Sequence, residues 1–159
     1  MEFEKAKKIA AKLLSYKMYT CKEIFTRLIQ KGITEEVAET VVAEFCRAGL
    51  LDDEEYAKMY IHDAVCVNMK GVFRIKQELI QKGIAHSIIE KAIKECETDP
   101  MAKLREYVEL RFADKVFSDW KDVEKAKAHL VRRGFGIYDI KKCFDELDIK
   151  VSTRGEDEE

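Results

Sequence analysis

The chain contains three closely similar hexapeptides: Leu28-Ile29-Gln30-Lys31-Gly32-Ile33, Leu79-Ile80-Gln81-Lys82-Gly83-Ile84 and Leu130-Val131-Arg132-Arg133-Gly134-Phe135. Their glycines follow one another at a constant interval of 51 residues. The same shift aligns apolar residues elsewhere in the chain, for example Ala6 with Ala57 and Val108. A period that is kept outside the hexapeptide indicates three copies of one supersecondary element.

Within each copy, apolar residues recur at the three- and four-residue spacing of an amphipathic helix. The chain has 7 glycines and a single proline, which favours long helices over many turns. We therefore predict an all-α fold of three tandem three-helix repeats, with about nine helices in an elongated, curved array. The predicted helices span residues 3–15, 21–31, 34–48, 53–68, 72–82, 86–97, 100–117, 120–133 and 136–148.

The predicted domains follow the period, as repeats over residues 1–51, 52–98 and 99–149. The last ten residues, 150–159, are predicted to be a disordered acidic tail, because they offer almost nothing apolar to bury and end in four acids.

Residues suited to helix ends support these bounds. Gly32, Gly83 and Gly134 suit the left-handed position just past a helix C-terminus. Three helix starts carry capping residues: Thr20 with Glu23, Asp52 with Glu55, and Asp99 before Pro100. The run of acids from Asp52 to Glu55 is accordingly interpreted as a helix start and not as a metal site.

The composition limits the class of protein. The 29 basic and 31 acidic side chains leave a net charge of −2, so any contact with nucleic acid or an anionic membrane requires a local basic patch. The five cysteines have no metal-ligand or disulfide-framework spacing, which predicts buried free thiols in a reducing cytosol. Neither a signal peptide nor a transmembrane segment is predicted.

Three motifs in this order resemble those of the RecX family, and the likeness runs from about Ala6 to Leu147. They are Leu50-Leu51-Asp52-Asp53-Glu54-Glu55-Tyr56-Ala57, then Gly71-Val72-Phe73-Arg74-Ile75 with Glu78-Leu79 and Lys82-Gly83-Ile84, and finally Arg132-Arg133-Gly134-Phe135. Gly136 and Lys17 depart from the family pattern, which commonly has serine and arginine there.

The resemblance implies a cytoplasmic bacterial protein that regulates the RecA recombinase. Such a protein binds RecA filaments on DNA in their helical groove, and inhibits filament extension, ATP hydrolysis and strand exchange. It acts as a monomer, with no membrane association and only weak direct contact with DNA. It is not an enzyme, and neither a catalytic residue, a cofactor nor a metal is expected.

Basic residues at equivalent repeat positions are the candidate partner-binding site. The predicted set is Lys31, Arg74, Lys82, Lys125, Lys127, Arg132 and Arg133. Cations in a last helical turn also complement the negative end of the helix, so Lys31 and Lys82 fit a structural role equally well. The doubled Arg132-Arg133 favours binding, because helix compensation requires only one charge.

The sequence also permits other functional interpretations. The three-helix units also suit a helix-turn-helix DNA-binding module, although the near-neutral net charge argues against it. A helical-repeat adaptor for another protein is a further alternative. His62, His86 and His129 fall at different positions in their repeats, and Gly134-Phe135-Gly136 lacks the strand and third glycine of a phosphate loop. Phe112 and Phe144 are predicted in the core, while Trp120 and Tyr138 are left open.

Overall fold

The computed structural model describes residues 1–97, 99–112, 117 and 119–147, and this part of the chain contains nine helices. In chain order they are α1 (Glu2–Tyr16), α2 (Cys21–Gln30), α3 (Glu35–Arg47), α4 (Asp53–Cys66), α5 (Val72–Gln81), α6 (His86–Glu95), α7 (Pro100–Phe112), α8 (Trp120–Arg132) and α9 (Ile137–Glu146). The all-α prediction is confirmed. Except for α7, each helix begins and ends within two residues of its predicted bounds.

The prediction was wrong at the end of α7, because residue 117 does not belong to the helix, whose described part runs to Phe112. Phe117 is buried but lies outside a helix. Its ring centroid is 6.1 Å from that of Phe112 and 6.5 Å from that of Phe144. Burial of this ring among other aromatics therefore decides its position, which helical spacing alone did not indicate. The acidic tail predicted at 150–159 lies outside the described residues.

The predicted helix starts are confirmed. The Thr20 hydroxyl accepts a hydrogen bond from the Glu23 N–H at 3.1 Å, and the Glu23 carboxylate accepts one from the Thr20 N–H at 3.0 Å. The other two caps bind in the same way: the Glu55 N–H donates to Asp52 and the Met101 N–H donates to Asp99. Each cap of this kind contributes about 0.5 to 2 kcal/mol.

The three repeated glycines end helices, as predicted. Gly32, Gly83 and Gly134 have φ angles of 87°, 88° and 101°, in the left-handed region. After each glycine, the next N–H bonds back to the carbonyl of the helical leucine that starts the hexapeptide, at 3.0 to 3.2 Å. The repeated sequence thus encodes a repeated helix-ending turn.

The chain divides into two compact units, and each has a buried core. The first unit comprises Met1–Ile61 and Glu78–Cys96. Its core joins α1, α2 and α3, where Ala6 and Ala10 are fully buried and allow close helix approach. The remaining buried residues of this core are Tyr19, Ile24, Leu28, Ile33, Ala38, Val41, Phe45 and Leu51.

The second unit comprises His62–Gln77 and the described residues from Glu97 onward. Its core joins α7, α8 and α9 and is rich in aromatic side chains. Phe112 and Phe144 belong to it, which confirms their predicted core positions. The three-domain division at 1–51, 52–98 and 99–149 describes the sequence period and stays a prediction.

The cysteines only partly follow expectation. All five are reduced cysteines, but the prediction that they are buried was wrong for four of them. Cys143 is buried, Cys21, Cys66 and Cys96 are half-buried, and Cys46 is exposed. The apolar helix stripes provide enough core on their own, so the four cysteines other than Cys143 lie at the margins of the packing. In the described part of the chain, no helix combines the length and apolar character that crossing a bilayer requires.

Candidate functional site

Two helix-to-helix contacts bring the repeated glycine turns against the starts of other helices. In the first compact unit, the buried Thr20 hydroxyl donates a hydrogen bond to the Lys82 carbonyl at 2.7 Å. The beginning of α2 thus satisfies a carbonyl that the end of α5 leaves unpaired. We call this contact between Thr20 and Lys82–Gly83 the first joint.

The second joint lies in the second compact unit, one repeat further along the chain. The Gly71 N–H donates to the Arg133 carbonyl at 2.8 Å, and the Phe73 N–H donates to the Gly134 carbonyl at 3.1 Å. Gly71 stands 51 residues after Thr20, and Arg133 stands 51 residues after Lys82. The same joint is therefore built twice, with a hydroxyl donor in one copy and a backbone donor in the other.

The Lys82 side chain is held at the first joint. Its Nζ lies 4.0 Å from the Glu23 carboxylate, and it lies 5.9 Å and 5.7 Å from the ring centroids of Tyr56 and Tyr60. Such cation–aromatic contacts contribute about 0.5 to 1 kcal/mol at exposed sites. These contacts give Lys82 a role in folding, and its part in partner binding stays a prediction.

Arg133 is held at the second joint in a similar way. Its guanidinium donates to the carbonyls of Asn68 and Met69, which follow α4. It also lies 4.7 Å from the ring centroid of Tyr107. Arg133 is consequently half-buried and satisfies backbone acceptors, so the two charges of the Arg132-Arg133 pair are not equivalent.

The other predicted cations differ in exposure. Lys31, Lys125 and Arg132 are exposed. Arg74 is half-buried beside the Gly134 turn, and Lys127 is half-buried with its Nζ 4.0 Å from Glu124 and 5.8 Å from the ring centroid of Phe144. The exposed cations are the ones that a partner reaches without rearrangement of the fold.

A basic stripe runs along α8. Lys121, Lys125 and Arg132 are exposed and occupy positions i, i+4 and i+11 of the helix, which lie on one face. The stripe spans about 16 Å at the helical rise of about 1.5 Å per residue. Sequence reasoning missed Lys121, although the spacing from Lys125 was a signal that could have identified it.

An apolar groove borders the stripe in the same unit. It is lined on α8 by Ala128 and Val131 and on α9 by Ile137 and Ile140, with charged residues at its rim. Val131 and Ile137 are exposed, and Ile137 retains 70% of its accessible surface. Trp120, at the start of α8, and Tyr138, beside Ile137, are also exposed, which settles that neither belongs to the core.

His129 makes a specific contact beneath the joint. Its Nε2 lies 2.7 Å from the Tyr107 hydroxyl. Burial lowers the pKa of His129 below its ordinary value, and the nearby charges of Arg111, Arg133 and Arg132 lower it further. The imidazole is therefore held neutral at pH 7, with one ring nitrogen as donor and the other as acceptor, and Nε2 shares a hydrogen bond with the Tyr107 hydroxyl.

We expect His129 to make stability fall as the pH is lowered from 7.5 to 5.5. Because the folded pKa lies below the ordinary value of about 6.5, the unfolded chain takes up the proton first and stability is lost from that pH downward. The loss stops once the pH is below the folded pKa. Urea denaturation of His129→Gln should show a smaller drop between these pH values than the parent chain, whereas an equal drop would show that other groups cause it.

The described residues contain no group of three His, Cys, Asp or Glu side chains arranged to hold a metal ion. His62 and His86 are both exposed, and the His62 Nδ1 lies 3.6 Å from the carboxylate of the adjacent Asp63. The acids at the start of α4 act on the backbone instead: Asp52 caps the helix and Asp53 accepts from the Cys21 N–H at 2.9 Å.

Comparisons with known proteins agree on one family. The model described as RecX, first three-helix domain, matches residues 6–45, and the model described as RecX, second three-helix domain, matches residues 52–93. Together they cover more than half of the chain.

Relatives and solved structures extend the likeness. The regulatory protein RecX of Streptococcus sanguinis (strain SK36) is 28% identical over 158 residues, and that match covers 99% of this chain but only 61% of the relative. For RecX of Halorhodospira halophila (strain DSM 244 / SL1), identity is 28% and coverage is 98% of this chain and 92% of the relative.

The crystal structure of RecX from Lactobacillus salivarius has a TM-score of 0.77 at 27% identity, and the match covers 94% of this chain and 98% of that chain. Helix content, repeat, motifs and relatives all agree. The chain belongs to the RecX family of regulatory proteins.

Proposed function

We propose that this chain is a non-enzymatic regulator that binds RecA filaments on DNA and inhibits filament extension, ATP hydrolysis and strand exchange. Family membership is the observation that carries the proposal. The chain spans about three fifths of the length of the streptococcal relatives. How far it extends along a filament is therefore part of the proposal. Action in the bacterial cytoplasm as a monomer belongs to it as well.

The surface that we assign to RecA is the α8 stripe together with the groove between α8 and α9. The stripe presents three exposed cations in a chain of nearly neutral net charge, so it offers a local basic patch for acidic groups. The groove adds exposed apolar residues, which provide the desolvated centre that a protein interface needs. Lys31 and Arg74 are proposed as further contacts.

A nucleic acid would also be attracted to exposed cations, which keeps the DNA-binding module as the alternative. The stripe is interrupted by Ala128 and flanked by Glu124, so its charge is modest. A site with few phosphate contacts gives weak, salt-sensitive affinity for free DNA. We therefore assign the protein filament as the main partner.

The proposal predicts that the folded chain lowers the DNA-dependent ATP hydrolysis of RecA and does not hydrolyse ATP itself. The measurement is steady-state phosphate release by RecA on single-stranded DNA at increasing concentrations of the chain, with the chain alone as the blank. Co-sedimentation of the chain with RecA–DNA filaments is then compared with its co-sedimentation with bare DNA. This comparison distinguishes binding to the filament from binding to DNA. Unchanged ATP hydrolysis by RecA at a saturating concentration of the chain would refute the regulatory role. Equal amounts of chain sedimenting with bare DNA and with filaments would favour the DNA-binding module.

A further inference from the structure

Two cysteine thiols meet in the first compact unit. The Sγ atoms of Cys21 and Cys46 are 3.1 Å apart. Cys21 is the first residue of α2, and Cys46 lies one residue before the end of α3. These helices are connected by a short loop and share one core, so their packing holds the two sulfurs together.

The distance is close to that of a covalent bridge. A disulfide has an S–S separation of about 2.05 Å, so the sulfurs need to approach by about 1 Å, which lies within the range of small side-chain rotations. Cys46 is exposed and open to small oxidants, whereas Cys21 is half-buried. The other three cysteines lie outside both helices.

We propose that Cys21 and Cys46 form a reversible intramolecular disulfide when the protein meets a hydroperoxide, and that this bridge locks α2 to α3. The Cys46 sulfur attacks the peroxide, breaks its O–O bond and becomes a sulfenic acid, with release of water from hydrogen peroxide. The Cys21 sulfur then attacks the Cys46 sulfur, and the Cys21 proton leaves with the displaced hydroxide as a second water. The two thiols lose two electrons in total, which the peroxide accepts.

The surroundings of Cys21 separate the two roles. Burial raises the pKa of the Cys21 thiol, and its hydrogen bond with Cys46 and the nearby Asp53 carboxylate raise it further. Cys21 is therefore held as a thiol and is a slow nucleophile at neutral pH. This assigns the exposed Cys46 as the sulfur that the oxidant reaches, and Cys21 as the sulfur that resolves the sulfenic acid.

The bridge is tested by peptide mapping of the full chain. The reduced protein is treated with hydrogen peroxide, its remaining thiols are alkylated, and it is digested with trypsin without reductant. We expect one linked pair, of the peptides 18–22 and 32–47, with a mass lower by two hydrogen atoms than the sum of the free peptides. Dithiothreitol should release both. Cys66→Ser is the matched control and should give the same linked pair.

Variants distinguish the two sulfurs. In Cys21→Ser, dimedone should trap a sulfenic acid on Cys46, while Cys46→Ser should lose the linked pair and show no trapped sulfenic acid on Cys21. In the parent chain, oxidation should raise the melting temperature on the order of 5 to 10 °C in a manner reversed by dithiothreitol. A different cysteine pair, a disulfide between two chains, or an unchanged or lower melting temperature of the oxidised protein would overturn the proposal.

Discussion

Replacing Gly134 by alanine is expected to destabilise the second compact unit by about 2 to 5 kcal/mol, one of the two largest effects that the structure predicts. The left-handed backbone at this residue penalises any Cβ by about 1 to 2 kcal/mol. The Cβ would also approach the Arg74 backbone nitrogen to 2.5 Å and the Gly71 oxygen to 2.7 Å. Overpacking against backbone of this kind costs about 1 to 3 kcal/mol more, because backbone atoms cannot move aside.

Three other glycines separate the effect of backbone strain from the effect of crowding. At Gly32 the φ angle is also positive, but nothing lies within 4 Å of an added Cβ. Gly32→Ala should therefore lower the free energy of unfolding only through the strain of the left-handed backbone. At Gly71 the crowding acts alone, because a Cβ would overlap the Gly134 carbonyl and the Phe135 nitrogen. Gly83→Ala should lie between Gly32→Ala and Gly134→Ala, because its Cβ would overlap the Lys22 Cβ, a side-chain atom next to the backbone, and would not meet backbone atoms directly.

Urea denaturation, followed by circular dichroism, measures the free energy of unfolding of each variant and so ranks the four substitutions. Gly134→Ala should be the most destabilised variant and Gly32→Ala the least. Equal losses at Gly32 and Gly134 would mean that backbone strain alone decides stability there, and the close approach at the second joint would be refuted.

Reversing the charges of the α8 stripe is the second large effect, in this case on RecA inhibition. Lys125→Glu combined with Arg132→Glu should raise the concentration for half-inhibition of RecA by about tenfold or more, which corresponds to about 1.4 kcal/mol or more. Each substitution replaces an attraction to acidic groups by a repulsion. Both residues are exposed, so folding should change little. Arg133 is left unchanged, because its guanidinium binds the carbonyls of Asn68 and Met69.

The matched control is Lys91→Glu with Lys94→Glu, two exposed cations of α6 in the first compact unit whose reversal changes the net charge equally. This control should inhibit like the parent chain. Inhibition by the parent should weaken as salt rises, since the Debye length is about 8 Å at physiological ionic strength. If the stripe variant inhibits as well as the control, the RecA-binding surface lies elsewhere, and Trp120 and Tyr138 become the next residues to substitute.

Much of the fold was predictable from the sequence because the information is local. Helical spacing of apolar residues, capping residues such as Thr20, and glycine at Gly32, Gly83 and Gly134 act within a few residues of one another. The constant interval between the glycines then relates the three repeats. These features determined the helix bounds and the family without any knowledge of long-range contacts.

Only the tertiary structure decided which side chains are exposed to a partner and which are held by contacts with distant residues. Arg132 and Arg133 are neighbours with the same charge, but only packing places Arg133 against carbonyls more than 60 residues away in the chain and leaves Arg132 exposed. Cys21 and Cys46 have no motif spacing, and they meet because α2 and α3 pack on one core. The local pattern specifies helices and their apolar faces, whereas contacts between distant residues depend on how those faces pack together.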